Sequence, residues 1–248
     1  MKIDYHQWWS PSLNQNMELK VYGHSGLPLL VFPSQSGRFF DFENNGMIHA
    51  IYPFIDNGRI RVITVDSIDS QSWANWDAPP VERALRHEAY DKYIIYEVVP
   101  FIRSLGEGFE QKFLVSGASM GAYHCCNFFF RHPDIFNGMI ALSGLYQLSM
   151  FIGDYMDQIV YFNVPIAYLP NLEDEWYLSQ YRQSKIIISV GQGAWEDEML
   201  ADTRALDQIL RDKNIPAWVD YWGHDVNHDW PWWQKQLPYF LENLLKWE

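Results

Sequence analysis

Positive charge is scarce in this sequence, and long apolar runs are missing. The 248 residues include 18 Lys and Arg against 31 Asp and Glu, which gives a formal net charge of −13 at pH 7. This negative excess disfavours nucleic acid and anionic membrane surfaces as partners, because both would repel it. No apolar run approaches the roughly 18 residues of a membrane-spanning helix. We therefore expect a protein that binds neither nucleic acid nor membrane.

Cysteine is also rare. The two cysteines, Cys125 and Cys126, are adjacent, and neighbouring cysteines seldom bridge each other, so we expect no structural disulfide. Residues 1–6 lack the basic region and the apolar stretch with which a signal peptide begins. Both observations are typical of a reducing cytoplasm, which is the location we expect.

Aromatic residues, by contrast, are abundant: they make up 17% of the chain and include 12 Trp. Such side chains fill cores and also line apolar ligand pockets. The length suits a single α/β domain over residues 1–248, without repeats or low-complexity tracts. The sequence leaves open whether that domain forms a homo-oligomer.

Short apolar runs alternate with segments of helical periodicity along the chain. The predicted strands are residues 17–22 (an edge strand), 27–32, 59–65, 112–116, 139–142, 185–190 and 217–222. The predicted helices are residues 81–103 (kinked near Pro100), 122–130, 197–212 and 234–245. This alternation predicts an α/β fold with a mostly parallel central sheet and helices on both faces.

The segment from Gly117 to Gly121 reads Gly-Ala-Ser-Met-Gly and fits G-x-S-x-G, the nucleophile elbow of serine hydrolases. A predicted strand precedes it and a predicted helix follows it, which is the setting that the motif requires. The tight turn projects the Ser119 hydroxyl above the sheet, while glycine on either side lets strand and helix approach each other. Ser119 is the candidate nucleophile, and an ordinary serine in a surface turn is the alternative.

A serine nucleophile needs a base, and the base needs an acid that orients it. In the α/β-hydrolase arrangement the acid follows the serine along the chain, and the histidine follows the acid. Glu196, Asp197 and Glu198 come directly after a predicted strand. We favour Glu196, because it stands first in the loop, and keep Asp197 as the alternative acid. A helix N-terminus also attracts acidic residues, so capping alone could explain all three.

Two histidines lie beyond this acidic loop, His224 and His228. We favour His228 as the base and keep His224 in reserve; a loop histidine bonded to Asp225 or Asp229 is the non-catalytic interpretation. The same four residues have a spacing that would suit metal ligands on a helix. A glycine before them and a proline after them indicate a loop instead, so we expect no metal and no cofactor.

An oxyanion intermediate needs two N–H donors. One is expected from the backbone of Met120, the residue after the nucleophile. The other is expected from the loop after the strand at residues 27–32, at Gln35 or Ser36, although Gly37 could simply make a turn there.

These residues together resemble the Putative esterase family of the α/β-hydrolase superfamily, which includes S-formylglutathione hydrolases, feruloyl esterases, enterochelin esterases and mycolyltransferases. The resemblance covers nearly the whole chain and is carried by residues 116–123, 131–136 and 228–230. It implies the α/β-hydrolase fold, with Ser119 as nucleophile and His228 as base, but it does not separate Glu196 from Asp197. The loop at residues 33–37 departs from the His-Gly form of many hydrolases.

Residues 145–184 are too long for a plain connection between two strands and are rich in aromatic side chains. We expect a helical, cap-like insertion before the acid-bearing strand that helps to form the substrate pocket; a helical addition with its own small core is the alternative. The expected function is hydrolysis of a small-molecule carboxylic ester, with a small or aromatic acyl group, through an acyl-enzyme. An acyltransferase with the same triad and a non-catalytic binding protein on the same fold remain alternatives.

Overall fold

The computed structural model describes residues 1–106 and 111–246. Its strands are β1 (Ile3–Ser10), β2 (Gln15–Tyr22), β3 (Leu27–Phe32), β4 (Ile60–Val65), β5 (Phe113–Ala118), β6 (Phe136–Leu142), β7 (Lys185–Val190) and β8 (Trp218–Tyr221). They form one eight-stranded sheet in the order β1-β2-β4-β3-β5-β6-β7-β8. Strands β3 to β8 run parallel, and β2 pairs antiparallel with both β1 and β4. The fold is therefore α/β with a mostly parallel sheet, as the sequence predicts.

Helices follow each of the parallel strands. They are α1 (Asp41–Asn44), α2 (Met47–Ala50), α3 (Tyr52–Asp56), α4 (Pro80–Tyr93), α5 (Val99–Ser104), α6 (Met120–Arg131), α7 (Ser149–Ile152), α8 (Gln158–Phe162), α9 (Pro165–Tyr168), α10 (Glu175–Arg182), α11 (Asp197–Asp212) and α12 (Trp230–Leu244). Short 3₁₀ turns occur at Asp69–Gln71 and Leu169–Asn171.

The sheet is buried on both faces. Successive residues of a strand point to opposite sides, so on β3 the side chains of Leu30 and Phe32 join an apolar core shared with α4, α6 and α11. Leu29 and Val31 join a second core on the other face, shared with α2, α3 and α12. Burial on both faces explains why these strands are continuous apolar runs in the sequence.

The edge of the sheet differs from the sequence-based prediction. Residues 17–22 were expected to form an edge strand, but β2 lies between β1 and β4, and β1 forms the edge. On β1 the residues Ile3, Tyr5 and Trp9 point to the exposed side. Because apolar side chains occupy its exposed side, β1 lacks the alternation of apolar and polar residues by which a half-buried strand is recognised in a sequence.

The predicted helix over residues 81–103 is present as α4, a π-helical segment at Ile94–Val98 and α5. Pro100 is the second residue of α5, and it has no N–H to donate to the carbonyl four residues before it. The π-helical turn directly before the proline is wider than an α-helical turn, and it lets the chain continue without the hydrogen bond that Pro100 cannot donate. The last helix, α12, starts at Trp230 rather than at residue 234, because Asp229 accepts the backbone N–H of Trp230 and caps it.

Residues 145–184 contain helices α7 to α10. Some of their buried side chains, among them Leu148, Phe151 and Val160, share an apolar cluster with Met120 and Tyr123 of α6, and others, such as Tyr168 and Leu178, join the core shared with α4 and α11. The segment therefore packs directly against the N-terminal half of α6, the helix that begins at the elbow.

Candidate active site

Ser119 lies in the sharp turn between β5 and α6. Its backbone has φ 58° and ψ −123°, a conformation that non-glycine residues rarely adopt and that stores strain. A Cβ at Gly117 would lie 2.2 Å from the carbonyl oxygen of Gly121, and a Cβ at Gly121 would lie 2.5 Å from the carbonyl oxygen of Phe32. Only glycine at both positions lets β5, α6 and β3 meet closely enough to form this turn.

The hydroxyl of Ser119 is hydrogen-bonded to His228. The distance from Oγ to Nε2 is 2.9 Å, although the two residues are 109 positions apart. His228 lies in the loop between β8 and α12, where its backbone N–H donates to the carbonyl oxygen of Ala194 at 3.0 Å. Its ring packs edge-to-face on Trp233, with centroids 4.9 Å apart. These contacts hold the imidazole over the serine.

Glu196 lies on the far side of the imidazole. Its Oε2 is 3.3 Å from Nδ1 of His228. The other carboxylate oxygen, Oε1, accepts hydrogen bonds from the Ser143 hydroxyl at 2.6 Å and from the backbone N–H of Gly191 at 3.3 Å. The residue is only 1% exposed, so these bonds replace the water that a buried carboxylate loses. The carboxylate is thereby fixed in one orientation.

Ser143 is a member of this network that the sequence does not mark. It follows β6 with φ 51°, and its Oγ accepts the indole N–H of Trp233 at 3.1 Å while its own proton goes to Glu196. The available signal is its position at the carboxyl end of a central strand, where ligand-binding groups of parallel sheets collect. That signal is shared by many residues, so it does not single out this serine.

The two alternative candidates lie outside this set of contacts. Asp197 is the first residue of α11, with an exposed side chain, where a carboxylate stabilises the helix N-terminus. His224 is exposed, and its Nδ1 is 3.3 Å from the carbonyl oxygen of Gln192. The structure thus brings Glu196, rather than Asp197, and His228, rather than His224, to Ser119.

The loops that carry Glu196 and His228 are bonded to each other. The backbone N–H of Gly193 donates to the carbonyl oxygen of Val226 at 2.9 Å. A Cβ at Gly191 would lie 2.2 Å from that same oxygen, and a Cβ at Gly193 would lie 2.3 Å from the side-chain oxygen of Asn227. The two glycines of the acidic loop therefore permit the close approach that joins acid and base.

The backbone N–H of Met120 is in the first turn of α6, where N–H groups have no carbonyl partner within the helix. In the loop after β3, the N–H of Ser34 bonds to Asp41, the N–H of Ser36 to Asp69, and the N–H of Gly37 to the carbonyl oxygen of Ser34. Between them, the N–H of Gln35 has no hydrogen-bond partner among the residues that the structure describes.

A second histidine–carboxylate pair lies beneath this loop. Oδ1 of Asp69 is 2.8 Å from Nε2 of His124 on α6, and both side chains are 1% exposed. Burial by itself would raise the pKa of the Asp69 carboxyl, but attraction and hydrogen bonding from His124, with further bonds from Ser67 and Ser36, lower it. The ring of His87 stacks on His124 at 5.5 Å, and burial holds the pKa of His87 well below its usual value.

A cavity of about 320 Å³ lies beside the start of α11 and is lined by Leu145, Met150 and Glu198, among others. A larger cavity of about 500 Å³ lies at the opposite end of α6, around Arg131, and contains none of the candidate catalytic residues. Residues 1–106 and 111–246 include no group of three or more His, Cys, Asp or Glu that could hold a metal ion. Over the same residues, every helix is too short or too polar to cross a membrane.

Solved structures with the same fold are esterases and related hydrolases. A ferulic acid esterase superposes with a TM-score of 0.77 at 16% identity, covering 99% of this chain and 97% of its own. An S-formylglutathione hydrolase from Agrobacterium tumefaciens gives 0.75 at 12% identity, covering 98% and 94%. The fluorophosphonate-binding serine hydrolase F of Staphylococcus aureus gives 0.71 at 16% identity, covering 99% and 97%. At these identities the likeness establishes the α/β-hydrolase fold.

The family is established by the sequence itself. The family model described as "Putative esterase" matches residues 10–244, nearly the whole chain. No match was found among curated proteins. The chain belongs to the Putative esterase family and is a serine esterase with the α/β-hydrolase fold.

Proposed function

We propose that this chain hydrolyses carboxylic esters through a triad of Ser119, His228 and Glu196. The observation that carries the proposal is the unbroken series of contacts from the Ser119 hydroxyl to His228 and on to Glu196. A serine hydroxyl is a weak nucleophile until a base takes its proton. With Nδ1–H directed at Glu196, Nε2 is free to accept that proton, and the carboxylate stabilises the imidazolium that forms.

The reaction proceeds in two balanced steps. In the first, Ser119 Oγ bonds to the ester carbonyl carbon, its proton moves to His228, and the same proton leaves on the departing alcohol when the ester C–O bond breaks. In the second, His228 takes a proton from water, the resulting hydroxide attacks the acyl-enzyme, and the proton returns to Ser119 as the acid is released.

The tetrahedral intermediate of each step carries its negative charge on the former carbonyl oxygen. We assign its stabilisation to the backbone N–H groups of Met120 and Gln35. Among the described residues the N–H of Gln35 has no hydrogen-bond partner, and the N–H of Met120 lies in the first turn of α6, where no carbonyl of the helix can accept it. Both lie where β3 and α6 come together. Ser36 is the weaker candidate for the second donor, because its N–H already bonds to Asp69. Each such donor contributes on the order of a hundredfold or more to the rate.

The surroundings favour an apolar or aromatic substrate over a highly charged one. The apolar cluster of residues 145–184 extends onto Met120, next to the nucleophile. Met150 and Trp195 expose 48% and 83% of their surfaces close to the acidic loop, and Trp195 directly precedes Glu196. We therefore propose that the insertion and Trp195 form part of the wall of the acyl or alcohol pocket.

Covalent labelling tests this function most directly. We expect a fluorophosphonate probe to add once to the wild-type protein, at Ser119, and p-nitrophenyl esters of graded acyl length to be hydrolysed. Ser119→Ala is expected to form no adduct, and its kcat is expected to be at least about 10³-fold lower than that of the wild type. The control is Ser179→Ala, which alters a half-buried serine on α10 whose hydroxyl donates to the carbonyl oxygen of Trp176, and it should behave like wild type.

The other outcomes identify the alternatives. Full labelling or full turnover by Ser119→Ala would refute the assignment of the nucleophile. Acyl transfer to an added alcohol in preference to water would indicate an acyltransferase with the same triad. A wild-type protein that is neither labelled nor active would favour a binding protein on this fold.

A further inference from the structure

We propose that the buried pair of Asp69 and His124 positions the two oxyanion donors relative to each other. The inference rests on the proposed function, because it concerns the N–H groups of Gln35 and Met120. Neither Asp69 nor His124 touches the reacting atoms in this proposal; both are positioning residues.

The two oxygens of the Asp69 carboxylate bind two different elements. Oδ2 accepts the backbone N–H of Ser36, the residue directly after Gln35, at 3.1 Å. Oδ1 is 2.8 Å from Nε2 of His124, which lies one helical turn after Met120 on the same face of α6. One carboxylate therefore joins the loop that carries one donor to the helix that carries the other.

The contact with Asp69 is the hydrogen bond that holds the loop directly after Gln35. Ser36 has φ 55°, in the left-handed region that a non-glycine residue adopts only when its surroundings impose it. The side chains of Gln35 and Ser36 are exposed and do not pack into a core. Ser34 is anchored by Asp41 on the other side, and its carbonyl oxygen, in the same peptide group as the Gln35 N–H, accepts the Gly37 N–H at 2.8 Å. Asp69 anchors the chain directly after Gln35, so these bonds together fix the orientation of that peptide group.

The surroundings of Asp69 and His124 suit a positioning role rather than a catalytic one. Both side chains are shielded from solvent, and Nδ1 of His124 has no hydrogen-bond partner among the described residues. Asp69 itself is held by the 3₁₀ turn after β4, where its backbone N–H bonds to Ser67. A misplacement of about 1 Å in a catalytic group can cost on the order of a hundredfold in rate, so rigid anchoring of the loop has a kinetic effect.

A matched control exists on the same helix. His132, at the C-terminal end of α6, has its Nε2 2.8 Å from Oδ2 of Asp91 on α4. This pair is also largely buried, but it lies at the end of α6 away from Ser119. Asp91→Ala removes a histidine–carboxylate contact of the same length from the same helix, without touching the loop after β3.

Three variants separate positioning from general stability. Asp69→Ala removes both contacts, and we expect kcat to fall about tenfold to a hundredfold with KM changed less than about threefold. Asp69→Asn keeps an acceptor for the Ser36 N–H, with its amide N–H facing His124, and should retain kcat within about fivefold of wild type. Asp91→Ala should retain kcat within about threefold.

A readout specific to the oxyanion comes from a trifluoromethyl ketone, which adds to the serine and forms a stable oxyanion in the hole. We expect its inhibition constant in Asp69→Ala to rise by the same factor by which kcat/KM falls, and its inhibition constant in Asp91→Ala to stay at the wild-type value. Thermal unfolding of each variant is recorded in parallel. A merely structural role would lower the unfolding temperature of both alanine variants and leave both inhibition constants unchanged.

Equal kcat and equal ketone affinity in Asp69→Ala and Asp91→Ala would overturn the positioning role. If Asp69→Ala is not recovered as folded protein, His124→Leu gives the same comparison, since it removes the partner that orients Asp69 and leaves Ser36 intact. Loss of the positioning role is distinguishable from loss of the proposed function: in the first case the wild-type protein is still labelled at Ser119 and hydrolyses esters, and in the second it does neither.

Discussion

Replacement of Glu196 by glutamine tests the triad at its most constrained point. The backbone N–H of Gly191 can only donate, and it bonds to Oε1 together with the hydroxyl of Ser143. The amide oxygen of the glutamine must therefore occupy the Oε1 position, and its NH₂ group then faces Nδ1 of His228. Nδ1 becomes an acceptor, the ring proton moves to Nε2, and the histidine can no longer take a proton from the serine.

The size of the loss follows from this change of tautomer. Placing an amide where the triad carboxylate stands lowers kcat by on the order of 10⁴-fold, which corresponds to about 5 kcal/mol of transition-state stabilisation. The side chains have nearly the same shape, so we expect KM and the unfolding temperature to stay close to the wild-type values. Steady-state hydrolysis of a p-nitrophenyl ester and thermal unfolding measure all three quantities.

Asp197→Asn is the control, because it makes the same chemical change at the neighbouring, exposed position. We expect its kcat to stay within about twofold of wild type. A loss of less than tenfold in Glu196→Gln, or a loss of several hundredfold in Asp197→Asn, would refute the reasoning and move the acid to Asp197.

Three further outcomes are expected. Ser143→Ala removes one of the two donors to Oε1 of Glu196 and leaves the Trp233 indole N–H without its acceptor, so kcat should fall about tenfold in ester assays, and urea unfolding should show a loss of about 1–3 kcal/mol in stability. Gly121→Ala places a Cβ 2.5 Å from a backbone oxygen of β3. It should lower the free energy of unfolding, measured by urea titration, by about 3 kcal/mol or more, or prevent folding. Because the fold lowers the pKa of the Asp69 carboxyl, its ionised form stabilises the protein at every pH above the ordinary pKa of an aspartate. The difference in unfolding free energy between wild type and Asp69→Asn should therefore be constant near neutral pH, and it should shrink as an acid titration protonates the carboxyl of the native state.

The central sheet could be predicted from sequence because its strands are buried on both faces. Runs such as those of β3 and β7 have no polar alternation to confuse with helical periodicity. The edge strand β1 was not predicted, because its side chains Ile3, Tyr5 and Trp9 are apolar but exposed. The sequence pattern of β1 therefore does not indicate which face is buried. Helices α1 to α3 were not predicted, because each has only four or five residues. That is too few for a helical period of apolar residues to be recognised.

Local pattern identified some candidate site residues and missed others. Ser119 stands in a motif whose glycines are required because a Cβ at either position would lie 2.2 or 2.5 Å from a backbone oxygen, so the geometry of the turn leaves a recognisable pattern in the sequence. Chain order limited the acid and the base to a few residues, and the first position in the acidic loop favoured Glu196. Ser143 and Asp69 have no such mark, because a polar residue after a strand is common and what distinguishes these two is the partner that the fold brings to them.

The sheet order explains why those partners meet. Strands β3 to β8 are parallel and adjacent, so their carboxyl ends lie along one edge of the sheet. The segment after each of the six strands contributes at least one residue to the proposed site or its support, in chain order Gln35, Asp69, Ser119 with Met120, Ser143, Glu196 and His228. Each of these residues except Gln35 and Met120 is held by a contact from another loop of that edge. The N–H of Gln35 has no partner among the described residues, which is why we propose it as an oxyanion donor. A site assembled in this way depends on the register of the strands. Because the groups hold one another through these contacts, loss of a supporting residue such as Asp69 or Ser143 should displace the group that it holds, and we expect such substitutions to change rates more than they change substrate affinity.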